Sequence, residues 1–296
     1  MMHRLERELR RHLSPSRRYQ LSKIRKVALE GLSLITRHIT GLLPLRVAAS
    51  LKEGIVRTGN LDYQGTRILM DVSTLTQVER LNACKKEPET VNWIETYIRT
   101  GDIFYDVGAN VGAYSFIADV VTGGLARIFA FEPGSTTYAA LVQNIFLNNC
   151  HQRIIPLPLA LSDYTGLRIF HYSSIVPGAA SHVMPDVNIR LTSNIQTQSQ
   201  YILSFRIDDL INQLGLPAPN LIKIDVDGSE IAVIQGAVRV LCGSTLRSLL
   251  IEVDEQAPQT PELVQMLDGF GFYLASRHHH IGSNCVANYI FARRNS

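Results

Sequence analysis

Hydrophobic positions along the 296-residue chain follow two rhythms, and the change between them marks its organisation. Leu21, Ile24, Val27, Ala28, Leu32, Ile35, Ile39 and Leu42 recur mostly at three and four, the stripe of an amphipathic helix that Pro44 should end. Lys23, Arg25, Lys26 and Arg37 lie mostly off that stripe. Leu61, Tyr63 and then Arg67–Met70 flank a Gln64-Gly65 turn, which predicts a hairpin over 60–72. Pro88 opens a helix over 88–99 that carries Val91, Ile94 and Ile98 on one side.

Beyond residue 100 short apolar runs alternate with helical stretches. Strands are expected at 102–107, 127–131, 153–161, 221–225 and 248–253, with helices after the first (through Val121), after the second (135–149) and after the fourth (229–241). Two final strands, 271–276 and 287–293, flank a polar loop, His278–Asn284. Continuous apolar strands alternating with helices specify an α/β fold with a mostly parallel sheet, and the helix-free connection of the last two strands requires one antiparallel member. The expected organisation is a helical extension over 1–50 and one domain over 51–296, with the hairpin and helix at 60–99 preceding the core at 100–296. Residues 171–200, rich in Ser, Thr, Asn, Gln and Pro, break the rhythm as a surface loop or a lid.

Composition adds a class and a charge map. With 46% hydrophobic and 19% charged residues the chain can bury a sizeable core. Four cysteines at 84, 150, 242 and 285 show neither CxxC nor zinc spacing, which suits a reducing, cytoplasmic setting. The start, MMHRLERELRRHL, lacks the apolar core of a secretory signal, and no apolar stretch reaches the roughly 18–20 residues of a membrane span. The formal charge of +3 hides a split: residues 1–46 hold eleven Lys/Arg against three acids, and the remainder eighteen against twenty-three. A net acidic globule argues against nucleic acid as substrate. The plain role for the basic arm's stripe is packing on the chain's own body or on a second subunit; peripheral contact with an anionic membrane is the alternative.

Ligands of an open parallel sheet bind beyond the carboxyl ends of its strands. Asp106, Glu132, Asp163, Asp225 with Asp227, and Glu252 stand at five successive strand ends. Any one of them could be an ordinary helix cap or turn residue, but the regularity points to a ligand. The loop after the first strand reads D-x-G-x-N-x-G, with Gly108 and Gly112, rather than the G-x-G-x-x-G of a dinucleotide site. Asp106 would repel a pyrophosphate. It would attract the ammonium of S-adenosylmethionine (SAM), whose ribose hydroxyls would meet Glu132.

DVGANVGAYSF, FAFEP with NIFLNN, ALSD, LIKIDVDGSEIAVIQGA and LLIEV, in this order, resemble the FkbM-type methyltransferases. The resemblance covers roughly residues 80–293. It implies a Rossmann-like class I methyltransferase sheet, SAM as methyl donor, and a hydroxyl of a sugar, glycolipid or polyketide as acceptor. It further implies that Asp106, Gly108, Asn110 and Gly112 cradle the methionine end, that Glu132 holds the ribose, that Ser162 and Asp163 lie against the adenine, and that Asp225 faces the methyl donor. The family commonly has Asp-x-Glu-Gly where this chain has Asp225-Val-Asp227-Gly228, one methylene shorter.

Transfer to a hydroxyl needs close alignment and a proton acceptor. Asp225 and Asp227 are the first candidates, ahead of Glu230, which suits a helix N-terminus, and Glu252. The carboxylates could hold Mg²⁺, although the sequence does not require it and no metal ligands are assigned. His278–His280 and His182 read more simply as loop residues than as bases or ligands. A nicotinamide-dependent dehydrogenase and a non-catalytic scaffold on the same fold are the competing readings; the missing third glycine opposes the former and the intact run of pocket residues the latter.

Overall fold

A computed structural model describes residues 15–55, 57–179, 184, 198–280 and 285–294. The chain divides into two units, residues 1–56 and 57–296. In the first, a helix runs from Pro15 to Gly41, and Pro44 then serves as the N-cap of a second helix, Leu45–Gly54. Proline ends one helix and starts the next because its ring removes an N–H that the first turn of a helix leaves unused. The stripe residues Ile24, Val27, Leu32, Ile35, Ile39 and Leu42 are all exposed, so none of that unit's described residues covers them. No described helix is long and apolar enough to cross a membrane.

The second unit opens with a short antiparallel pair, β1 (Thr58–Asn60) and β2 (Leu69–Asp71), joined through Gly65 at φ 88°. Two short helices that the hydrophobic pattern did not announce, Leu75–Arg80 and Ala83–Lys86, lead into the expected helix Pro88–Tyr97. The first is closed by a capping box in which Thr74 and Gln77 bond each other's backbone N–H.

The core is a seven-stranded sheet in the order β11-β12-β10-β9-β3-β4-β5. Its strands are β3 (Ile103–Val107), β4 (Arg127–Phe131), β5 (Ile154–Leu157), β9 (Leu221–Ile224), β10 (Ser248–Asp254), β11 (Phe272–His279) and β12 (Val286–Arg293). β3, β4, β5, β9 and β10 pair in parallel, and β12 runs antiparallel to both β10 and β11, as the helix-free final connection demanded. Alternate residues feed two cores. Phe104, Ile128, Ala130, Leu221 and Leu250 face the helices Pro88–Tyr97 and Ala113–Val121, and Tyr105, Phe129, Phe131, Ile222, Ile224 and Ile251 fill the opposite side. Burial on both faces explains why these strands read as continuous apolar runs.

Four expected elements differ. The run 153–161 splits after Leu157, and Ala160–Leu161 becomes β6 of a small second sheet with β7 (Gly166–Tyr172) and β8 (Gln198–Phe205). The expected helix 229–241 breaks into Glu230–Gln235 and Val238–Cys242. At that break a Cβ on Gly236 would lie 2.0 Å from the Ser162 carbonyl oxygen, and the Asp208 carboxylate accepts the N–H groups of Arg239 and Val240. An unannounced helix, Thr260–Gly269, joins β10 to β11, and β11 extends through His278 and His279, so these two belong to a strand. Both ends of the 171–200 segment are strand, and Gly178 and Ala179 pack down: Gly178 donates to Thr137 Oγ1, and Arg80 and Asn110 donate to the carbonyls of Gly178 and Ala179. Residues 180–183 and 185–197, with His182, lie outside the described residues.

Candidate active site

At the carboxyl edge of β3, β4, β9 and β10 lies a cavity of about 300 Å³, bordered by Gly108, Asn110, Glu132, Leu161, Asp225 and Asp227. The loop from β3 is bound to its neighbours before any ligand arrives. Gly108 and Ala109 donate to the Phe131 carbonyl at 3.0 and 2.9 Å, and Asp225 donates its N–H to Val107 at 3.0 Å. Gly108 has φ 77°, and a Cβ there would sit 1.8 Å from the Asp225 carbonyl oxygen. Only glycine satisfies both conditions. Asn110 is also left-handed, at φ 51°, and its side chain ties the loop to Ala179 at 2.9 Å. Gly112, at φ 94°, starts the helix Ala113–Val121 and packs under Leu141 rather than on the cavity.

Glu132 ends β4 with its carboxylate buried at the cavity wall. Its oxygens accept the N–H groups of Gly134 at 2.8 Å and Asn110 at 3.0 Å. Burial nevertheless outweighs these bonds and pushes its pKa up to about 7. If ribose hydroxyls donate to this group as the sequence reading expects, they favour its ionised form, and SAM affinity should then fall as pH drops through 7. Calorimetric titration should give a Kd roughly tenfold weaker at pH 6 than at pH 8, following the ionised fraction. A Kd flat across that range would remove Glu132 from the ribose contact.

Period-2 alternation places Asp106, Lys223 and Glu252 on one face of the sheet, the face covered by helix Pro88–Tyr97. Asp106 and Lys223 are register partners and both fully buried. Asp106 accepts from Ser115 Oγ at 2.6 Å through one oxygen, while its other oxygen has no hydrogen bond among the described residues. Lys223 Nζ lies 2.9 Å from Asp225 Oδ2 and over the Tyr114 ring. Burial opposes the charge of Lys223, but Asp225, Asp106 and Glu87 together hold its pKa above the ordinary value. Burial likewise pushes the Asp225 carboxyl up, and Lys223 overrides it, with Arg80 and Lys86 adding, so that Asp225 ends below the usual carboxylate range. The signal for Lys223 was in the sequence: a lysine inside the apolar run Leu221-Ile-Lys-Ile, two residues from Asp225, must share its face.

The remaining sequence candidates fall as follows. Asp227, at φ 52°, borders this cavity and a second one of about 320 Å³ that also reaches Glu230, Asp254, Gln259 and Thr260. Glu230 accepts the Gly228 N–H at 2.8 Å, serving the turn. Glu252 borders both cavities, and burial, then repulsion by Asp225 and Glu87, raises its pKa to about 9. Ser162 is buried against Ser204 Oγ at 2.7 Å, and Asp163 is ion-paired with Arg168 at 2.6 Å; the cavity is bordered by Leu159, Ala160 and Leu161 instead. Of the histidine run only His280 reaches the cavity. Arg80 and Lys86, on the two short helices, also border it; nothing in their local pattern separates them from ordinary surface cations.

The residues fit SAM. A glycine cradle admits a backbone-close ligand, a buried carboxylate stands where two hydroxyls would bind, and Asp106 keeps an unbonded buried acceptor beneath the loop. Together with the parallel sheet and its antiparallel β12, these features define a SAM-dependent methyltransferase of the Rossmann-like class. The FkbM methyltransferase domain model matches residues 106–274, and the chain belongs to that family. The hexuronic acid methyltransferase AglP of Haloferax volcanii is 25% identical over 211 residues, covering 71% of this chain and 80% of the relative. The 31-O-demethyl-FK506 methyltransferase FkbM of Streptomyces tacrolimicus is 28% identical over 218 residues, covering 67% and 82%. A crystal structure of methyltransferase FkbM from Methylobacillus flagellatus overlaps at a TM-score of 0.47 and 19% identity, covering 73% of this chain and 52%, about half, of that one.

Proposed function

We propose that the protein O-methylates a hydroxyl of a sugar-like acceptor, free or carried on a lipid or a polyketide. The observation that carries this reading is the shared wall of the two cavities, where Asp227 and Glu252 stand at the end of β9 and β10 beside Asp225. The first cavity would take the donor, with Glu132 on the ribose, Gly108 and Asn110 against the methionine end, and Leu159–Leu161 against the adenine. The second, edged by Asp254, Gln259 and Thr260, offers the acceptors and donors that a polyhydroxylated ring requires. When bound, SAM supplies an electrophilic methyl carbon whose bond to sulfur breaks, the electron pair staying on sulfur, as the acceptor oxygen bonds to it.

The chain's own residues then have separate tasks. Asp225, kept ionised by Lys223, is a weak base and supports the positive charge of the donor electrostatically. Asp227 takes the hydroxyl proton, since it borders both cavities. The relatives act, by name, on a hexuronic acid and on a demethylated FK506, which supports hydroxyl-rich acceptors. Incubating the protein with SAM and a panel of uronic acid glycosides, neutral glycosides and polyketide alcohols should give a product heavier by one methyl group in at least one arm. Asp227→Asn should cut turnover by roughly 100-fold or more while leaving SAM affinity within about threefold, the loss typical of a missing general base. Binding of NAD without binding of SAM would sink the reading.

A further inference from the structure

Three side chains from separate parts of the fold converge beside the first cavity, which Glu252 and His280 border. Glu87 precedes Pro88, Glu252 stands near the end of β10, and His280 follows β11; one ligand atom of each lies within 4.8 Å of the other two. Glu87 occupies the N-cap position of helix Pro88–Tyr97, yet its side chain makes no capping bond there. It is buried all the same, with 3% exposure. The imidazole of His280 is nine-tenths buried, and its Nε2 comes within 3.2 Å of Glu252 Oε2 without the direction of a hydrogen bond, so that it has no partner among the described residues. A buried imidazole nitrogen near two carboxylates and hydrogen-bonded to neither among the described residues is the arrangement of a ligand set, since leaving such a nitrogen without a hydrogen bond otherwise costs about 1–3 kcal/mol.

We propose that Glu87, Glu252 and His280 bind one divalent first-row transition cation beside Glu252, the residue that borders both cavities, with Mn²⁺ as its representative. Two carboxylates and one imidazole make a mixed O/N set that suits such ions better than Mg²⁺, whose sites are oxygen-only. The 4.8 Å spread is one that side-chain rotation closes onto an ion held at about 2.0–2.2 Å. The charges facing the site are Asp225 and Lys223 from β9 and its end, with Lys86 and Arg80 from the short helices. Lys86, half exposed, is bonded to one Glu87 oxygen at 2.8 Å, and Thr90 Oγ1 donates to the other at 3.4 Å, so a cation would have to displace Lys86.

Three protein ligands leave positions open for the acceptor. A coordinated hydroxyl would lose its proton more readily, that proton passing to Asp227, and an oxygen on the neighbouring carbon would complete a chelate. The site thereby narrows the acceptor class, on the methyltransferase reading given above, to a hydroxyl with a vicinal oxygen: a sugar diol or the hydroxyl beside a uronic carboxylate.

The test uses the full chain stripped with EDTA and titrated with Mn²⁺, following loss of the free-ion electron paramagnetic resonance signal. One ion per chain should bind with a Kd in the micromolar range. Glu252→Gln and His280→Gln should each weaken it at least tenfold, while Asp268→Asn, at an exposed ion pair, should leave it unchanged. Thermal melting of each variant separates lost ligands from lost fold. Absence of binding by the unsubstituted protein up to millimolar Mn²⁺ would overturn the site, and so would binding that both folded variants retain. SAM titration of the stripped protein is the independent arm: failure there with Mn²⁺ binding intact would count against the methyltransferase reading and leave the cation site standing.

Discussion

Replacing Lys223 with methionine should destabilise the second unit by about 3–5 kcal/mol, the cost of stranding buried charges without their partner. The side chain fits by volume, so the loss is electrostatic. Asp106 is fully buried with one oxygen unbonded, Asp225 lies 2.9 Å from the ammonium, and Glu87 is buried nearby. For a domain of this size, that loss should lower the melting midpoint by roughly 10 °C, at about 2–4 °C per kcal/mol. The pH dependence carries the diagnosis. In the unsubstituted protein the depressed pKa of Asp225 contributes stability that is present above the unfolded carboxylate value and lost as pH falls below it. Without Lys223 burial raises Asp225 and Glu87 instead and pushes Asp106, which burial already raises, up further, and their burial costs most when they ionise. The difference between variant and parent should therefore shrink as pH is lowered from 8 toward 5. A midpoint within about 2 °C of the parent at pH 8 would mean that Asp106 and Asp225 are neutralised by something other than Lys223.

Gly108→Ala is expected to cut methyl transfer by roughly 100-fold or more while costing far less stability. Alanine at φ 77° costs about 1 kcal/mol in the backbone alone. The larger effect is steric: its Cβ would lie 1.8 Å from the Asp225 carbonyl oxygen, and both are backbone-fixed. Either the loop lifts or the end of β9 retreats, and each displaces a wall of the cofactor cavity by about an ångström. A displacement of that size costs on the order of 100-fold in rate, and SAM affinity should fall with it. Gly65→Ala is the matched control, because Gly65 is also left-handed, at φ 88°, but a Cβ there meets nothing within 4 Å. It should lose about 1 kcal/mol of stability and no activity. Comparable activity in the two variants would show that the close approach of loop and strand is not required.

These two residues differ in how legible they were. Gly108 stood out because a glycine beside an acid at the end of an apolar strand is a recognisable ligand loop, and the reason for the glycine, the Asp225 carbonyl, emerged only in three dimensions. Lys223 is visible as one charged residue in the run Leu221–Ile224, but a strand buried on both faces offers no alternation against which it stands out. Glu132 stands at the cavity wall just past its strand, whereas the Ser162–Asp163 position that the family resemblance implies, and that a strand running to residue 161 would put at its end, lies beyond a break in that strand. The break after Leu157 shifts that end by several residues and presents Leu159–Leu161 instead. The three adjacent histidines read alike as loop residues in the sequence, but the strand takes His278 and His279 and leaves only His280 at its end.

The sequence by itself determined the order and type of the principal elements, the parallel sheet with one reversed strand, and the acidic residues at the strand ends. These follow from local periodicity and from the short apolar runs, which are fixed residue by residue along the chain. Tertiary structure alone decided which of those acids share a cavity, which are neutralised by Lys223, and that Glu87, 165 positions before Glu252, stands beside it. Such juxtapositions depend on strand order, register and the breaks at Leu157 and Gly236. Those are set by the packing of residues far apart in the chain, to which no local pattern is sensitive.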